Sequence, residues 1–281
     1  MNALNRLSLH FVVLLCISFV VIALTAPIIA PHDPEQGVLL DRLQPPVWLE
    51  GGDSKYLLGT DKLGRDVLSR LIFGARISLT VCALAIILSG VIGSSLGIVA
   101  GYYGGWPERI LMRLVDLTLS FPIILLALLF GVIYGPSFLN VIIVISLVLW
   151  SQYARMARGE TLKIKTTEYV ELARTAGASD FYIMRVHIFP NIVGALIVLA
   201  TLQVGTVIIL ESSLSFLGVG VPPPTPSWGS MIADGRSYVM SASWLSIVPG
   251  LSILVTVLSV NMLGDHLTDV LNPKMRMNLN R

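Results

Sequence analysis

The chain has 281 residues, of which 54% are hydrophobic and only 13% charged, with a mean hydropathy of +0.80. That balance is too apolar and too charge-poor for a water-soluble domain, and it predicts an all-α protein that crosses a membrane several times. The formal net charge of +2 is dispersed, with no basic run interleaved with aromatics, which argues against a nucleic-acid partner and leaves the lipid bilayer as the partner that composition demands.

Six stretches free of Asp, Glu, Lys and Arg follow one another: Leu9–Ile29, Ile77–Ala100, Leu117–Tyr134, Phe138–Ala154, Ile192–Leu210 and Trp244–Leu263. Each has about 17 to 25 residues, the length a hydrocarbon core ~30 Å thick requires of a helix. Backbone groups left unpaired in lipid cost several kcal/mol, so these spans must be helical, and the ten-residue alternation of a barrel is missing. Leu9–Ile29 exceeds the apolar run of a signal peptide and only Arg6 precedes it, so residues 1–30 read as the first span. Cys16 and Cys82 both lie inside apolar stretches and read as small buried hydrophobes.

Segment 31–76 starts with the turn-rich run from Ala30 to Gly37 and contains Pro45, Pro46, Gly51 and Gly52, so its first half is irregular. From Asp61 onward Leu63, Val67, Leu68, Leu71, Ile72 and Ala75 recur at helical spacing, with Lys62, Arg65, Asp66, Arg70 and Arg76 off that stripe. The pattern predicts an amphipathic helix lying in the membrane interface. Gly59 and Gly64 are spaced as in a phosphate-binding loop, but Arg65-Asp66 stands where Lys-Ser/Thr is needed, so no nucleotide site is read here. The third span opens with Arg113 and Asp116, spaced for an ion pair that either anchors the helix end or lines a pathway, and Pro122 should kink it.

Between spans four and five the polar segment 155–190 interrupts the apolar chain. Tyr169, Leu172, Ala173 and Ala176 fall on one helical face, and Glu168, Glu171, Arg174 and Thr175 on the other. Gly177 predicts a left-handed stop, Ser179 and Asp180 are good N-cap residues, and a second helical run continues to Pro190. The expectation is a helix-turn-helix elbow with small residues at Ala173, Ala176, Gly177 and Ala178, where another protein can approach the backbone. An even number of spans puts both termini and this elbow on one side. That side carries twelve Lys and Arg against seven on the other, which places it in the cytoplasm.

Glu211 is the only acid embedded between apolar runs, and an ionisable group there is a functional hypothesis. Twenty residues into its helix, or ~30 Å at 1.5 Å per residue, it lies near the outer interface. It reads either as a hydrogen-bond acceptor for neighbouring helices or as a pathway-lining residue. Val221 to Gly229, rich in proline, is a stiff extended segment ending in Trp228, a residue that favours membrane interfaces.

Glu171, Ala173, Gly177 and Pro190 sit at the spacing of the EAA signature of ATP-binding-cassette (ABC) importer permeases, which the segment resembles. Leu172, His187 and Phe189 depart from it. Leu58-Gly59-Thr60-Asp61 with Gly64 to Arg70, Ser215 to Gly220 with Met231, Ile232, Asp234 and Arg236, and Gly264 to Pro273 resemble blocks of the peptide and nickel branch of that family. Thr268 and Asn272 differ from its tail signature, and an ordinary capped amphipathic helix also accounts for residues 61–70. The resemblance covers roughly residues 57 to 273 and is to the second of the branch's two permease subunits. It implies six transmembrane helices in the MetI-like fold of type I ABC importers, with a permease core over 77–273 and a cytoplasmic tail over 274–281. The elbow would be the coupling loop, docking an ATPase through Glu171, Ala173, Gly177, Ala178, Ser179 and Asp180. Implied partners are a second homologous permease subunit in a heterodimer, two ATP-binding subunits and an extracytoplasmic solute-binding protein that meets the outer loops, 31–76 and 219–243. The implied setting is the bacterial inner membrane.

No P-loop, metal cluster or catalytic triad spacing occurs, so the chain itself is expected to be no enzyme and to hold no cofactor, ATP and Mg being bound by partner subunits. Short peptides are the expected cargo, with nickel chelates, glutathione or another small solute as alternatives in the same branch. A self-powered secondary transporter or channel should show internal repeats and several intramembrane charges, whereas this chain shows one acid and no visible repeat. A membrane assembly factor that recruits a partner without transport is the third reading.

Overall fold

The computed structural model describes residues 3–271. The protein is almost entirely helical among them: α1 (Ala3–Ile29), α2 (Val67–Tyr103), α3 (Gly105–Ser120), α4 (Ile123–Tyr134), α5 (Phe138–Ile164), α6 (Glu168–Thr175), α7 (Asp180–Tyr182), α8 (Phe189–Phe216), α9 (Trp228–Gly235) and α10 (Trp244–Leu271). Five helices are long and apolar enough to cross a membrane: Val12–Ile29, Val67–Tyr103, Phe138–Ile164, Asp180–Phe216 and Trp244–Gly264. The third uncharged stretch forms no straight span, because α3 and α4 meet at 97°. The break falls at Phe121-Pro122, where Pro122 cannot donate into the preceding turn and holds Phe121 in an extended conformation. The tail block beyond Leu271, including Asn272, Pro273 and residues 274–281, lies outside the described residues.

The expected interfacial helix over 61–76 is not a separate element. Asp66 caps α2, its carboxylate accepting the Ser69 backbone N–H at 2.9 Å, and the helix then runs without a break for 37 residues, ~55 Å at 1.5 Å per residue. Nothing in 67–77 stops a helix, and Arg70 on its first turn is neutralised by Asp61 and Asp234. The boundary between loop and span therefore lies at Asp66, and the irregular loop occupies 30–66.

α2 is the central helix, in contact with α1, α5 and α8, while α10 packs on α8, α9 and α1. Its closest partner is α5, and the reason is a row of small residues at four-residue intervals: Ser89, Gly93, Gly97 and Gly101, all buried. A Cβ on Gly93 would lie 2.2 Å from the Trp150 carbonyl oxygen, and one on Gly97 2.4 Å from that of Ala154. Only hydrogen at these positions lets the two backbones come this close, the way small-residue seams drive helix pairing where lipid removes the hydrophobic incentive. Val81, Ala85, Ile145, Leu149, Val207 and Ile208 form the apolar core above that seam.

Candidate functional site

Residues 165–190 fold into the elbow. α6 ends in a Schellman turn: Gly177 has φ +86°, its N–H bonds to the Arg174 carbonyl at 3.0 Å, and the Ala178 N–H reaches back to Ala173 at 3.0 Å. A Cβ on Gly177 would meet nothing within 4 Å, so the turn projects away from the rest of the chain. Ser179 caps the next helix, accepting the Tyr182 N–H at 3.3 Å. From Asp180 the chain continues through α7, a π-helical stretch (Ile183–Ile188) and α8 as one 37-residue helix, so Pro190, at its second α8 position, marks no joint.

α6 packs inward on a narrow face. Val170 is its fully buried residue and Ala173 packs beside it, against Tyr102, Tyr153, Ala157, Ile183, Ile188 and Ile192. Tyr169, Leu172 and Ala176 face outward instead, and Leu172 and Phe181 are 67% and 68% exposed. Apolar periodicity cannot distinguish a face that packs within its own chain from one left for a partner. Glu171 is exposed and Ala178 half-buried. His187 lies between the rings of Tyr169 and Tyr182, at 6.0 and 5.7 Å, and so fills the angle of the elbow.

Three contacts fix the elbow to the end of α2. The Tyr102 hydroxyl donates to the Asp180 carboxylate at 2.7 Å, the Arg174 guanidinium lies 5.5 Å from the Tyr102 ring centre, and Lys165 donates to the Gly101 carbonyl at 2.7 Å. Asp180, read from sequence as a cap, is thus also the acceptor of a hydrogen bond spanning 78 residues.

Asp116 pairs with Arg155 of α5 at 2.7 Å rather than with Arg113, which is exposed. Side chains on neighbouring helices met it better than the one three residues back. Glu211 is fully enclosed. Ser78 of α2 and Ser215 donate to its two carboxylate oxygens at 3.2 and 2.8 Å, and Ser78 also accepts the Trp228 N–H at 3.4 Å. This hydroxyl–carboxyl cluster joins α2, α8 and the start of α9. Trp228, expected at an interface, is buried with its indole N–H on the Leu71 carbonyl at 3.1 Å.

At the end of the bundle opposite the elbow, the loop 30–66 is tied down by an ionic network that the sequence did not reveal. Asp61 accepts from Arg65 at 2.7 Å and lies 3.5 Å from Arg70. Asp234 of α9 accepts from Lys62 at 2.7 Å and lies 3.7 Å from both arginines. Asp61, Arg65 and Arg70 are buried. Gly64, at φ +72°, closes the loop so tightly that a Cβ would fall 1.9 Å from the Val38 carbonyl oxygen. Elsewhere in the loop, Lys55 and Tyr56 donate to Asp41, holding its carboxyl below its ordinary range, and the Tyr56 hydroxyl together with Asp41 raises the Lys55 ammonium.

The family profile described as "Binding-protein-dependent transport system inner membrane component" matches residues 93–277. The chain is 43% identical over 254 residues to a di/tripeptide transport system permease protein of Pseudomonas aeruginosa, covering 90% of this chain and 84% of that one. It is 41% identical over 257 residues to a glutathione transport system permease protein of Pectobacterium atrosepticum, covering 92% and 84%. Among solved structures it resembles a chain of an inward-facing MetNI methionine ABC transporter, with a TM-score of 0.59 at 19% identity over 72% of this chain and 96% of that one.

Proposed function

Because the chain belongs to the family of binding-protein-dependent transport system inner membrane components, we propose that it is one permease subunit of an ABC importer for short peptides. It pairs with a second, homologous permease subunit. A solute-binding protein delivers cargo at the end that carries the loop 30–66. At the other end, in the cytoplasm, the elbow docks one of two ATPase subunits, which bind the ATP and Mg. The excess of Lys and Arg on the elbow side supports this orientation.

The observation that carries the reading is mechanical. The elbow has a projecting turn at Gly177 with Leu172 and Phe181 exposed beside it, yet its inner face is bonded to α2 and continuous with α8. A displacement imposed on Glu171, Ala173, Gly177, Ala178, Ser179 and Asp180 therefore moves two spans together and repositions the pathway between two states. Short peptides are favoured as cargo because relatives named for di/tripeptides and for glutathione, itself a tripeptide, are alike at 43% and 41% identity.

The test is uptake of labelled dialanine by proteoliposomes holding the complete complex, with its binding protein outside and ATP inside. ATP-dependent accumulation is expected. Stimulated ATP hydrolysis with no peptide entering contradicts peptide as cargo, and uptake that persists without the ATPase subunits contradicts the ABC mechanism.

A further inference from the structure

On the elbow side of the Phe121–Pro122 break, an open groove of about 470 Å³ runs along α5, between α3 and α8, lined by Leu119, Gln152, Arg155, Met156, Glu160 and Leu199. Arg155 lies nine residues before the end of α5, about 13 Å along a helix. Its guanidinium is held by Asp116 of α3 at 2.7 Å, and both side chains are more than half exposed, at 54% and 59%. Gln152 accepts a hydrogen bond from Gln203 of α8, and Glu160 accepts from Lys163 at 2.6 Å. Around them Leu114, Leu117 and Leu202 are exposed.

Charged groups on otherwise apolar spans face water or protein, not lipid. Here they line an open groove, which a hydrated solute can enter. The polar set is also particular: the Arg155 guanidinium, the Glu160 carboxylate and the Gln152 carboxamide, with the Asp116 carboxylate beside them. A short peptide at neutral pH carries a carboxylate, an ammonium and amide groups between them.

We propose that this groove is a transit subsite for the charged termini of a peptide. Arg155 exchanges Asp116 for the peptide carboxylate through a two-pronged contact, Asp116 or Glu160 takes the ammonium, and Gln152 meets the backbone amide. An ion pair this exposed is weakly held, so the contact is transient, as passage requires. The inference rests on the peptide-import reading and adds where in this chain the cargo is met.

Its test uses the complete complex in proteoliposomes with the binding protein, labelled dialanine and the variants Arg155→Gln and Asp116→Asn, reading peptide imported per ATP hydrolysed. Each variant is expected to co-purify with its partners and to import at least tenfold less dialanine per ATP. As a second readout, Arg155→Cys in a Cys16→Ser, Cys82→Ala background should react with a hydrophilic thiol reagent, and excess dialanine should slow that reaction severalfold during turnover. Wild-type ratios in both variants overturn the subsite alone, as does loss of the partner permease on purification, which would make the pair an interface contact. Failure of the wild-type complex to import dialanine removes the peptide reading, and the subsite with it.

Discussion

Substituting alanine at three glycines of α2 separates close helix packing from helix propensity within one element. At Gly90 the new methyl would lie 3.6 Å from the Tyr153 ring, an ordinary contact. Alanine is favoured over glycine in a helix interior by about 1 kcal/mol, so Gly90→Ala should be neutral or stabilising by up to that amount. At Gly93 and Gly97 the methyl would lie 2.2 and 2.4 Å from the carbonyl oxygens of Trp150 and Ala154. Backbone cannot rotate aside as a side chain can, so α2 and α5 must separate by roughly 1 Å to restore van der Waals distance. Overpacking of this kind costs about 1–3 kcal/mol and outweighs the propensity gain. The assay is thermal unfolding of the purified complex in one detergent, with each variant measured beside wild type. A higher midpoint for Gly90→Ala and lower midpoints for the other two are expected. Equal shifts at all three positions would refute the argument that this seam is set by backbone contact.

Three other perturbations follow from the polar clusters. Asp61→Asn leaves Arg65 and Arg70 buried with only Asp234 between them, so a loss of about 3–5 kcal/mol is expected, read as a lowered unfolding midpoint and faster proteolysis within 30–66. Glu211→Gln keeps an acceptor for Ser78 or Ser215 and should cost less than Glu211→Ala, which strands both hydroxyls at about 1–3 kcal/mol; equal losses would show that the hydrogen bonds do not matter. Tyr102→Phe removes the tie to Asp180, worth about 1.5–3 kcal/mol as a bond to a charged acceptor, and should reduce peptide imported per ATP while α6 and α8 still form.

Local chemistry made much of this protein legible. The uncharged runs located the passages, Pro122 marked the break between α3 and α4, and Gly177 with Ser179 marked the turn and cap of the elbow. What was missed depends on partners distant in sequence. The charges at Arg65 and Arg70 suggested a helix at the lipid surface because one of the acids that neutralise them, Asp234, lies more than 160 residues away. Asp116 found Arg155 on another helix for the same reason. On α6 the pattern set Tyr169, Leu172, Ala173 and Ala176 on one face but did not mark Val170 as the residue that fills the core while Tyr169 and Leu172 stay exposed. The seam of α2 was a different kind of omission: Gly93, Gly97 and Gly101 are readable as a four-residue repeat of small residues, a known signal for close helix pairing.

The central claim, that the elbow docks the ATPase, is tested most directly by Gly177→Asp in the complete complex. The site is open, and aspartate is among the residues that best tolerate a left-handed backbone, so the chain should fold and insert. The added carboxylate then occupies the surface that the ATPase must cover. Loss of binding-protein-stimulated ATP hydrolysis and of dialanine uptake, with the two permease subunits still paired in the membrane, is the predicted result. Stimulation and uptake at wild-type levels would contradict the account.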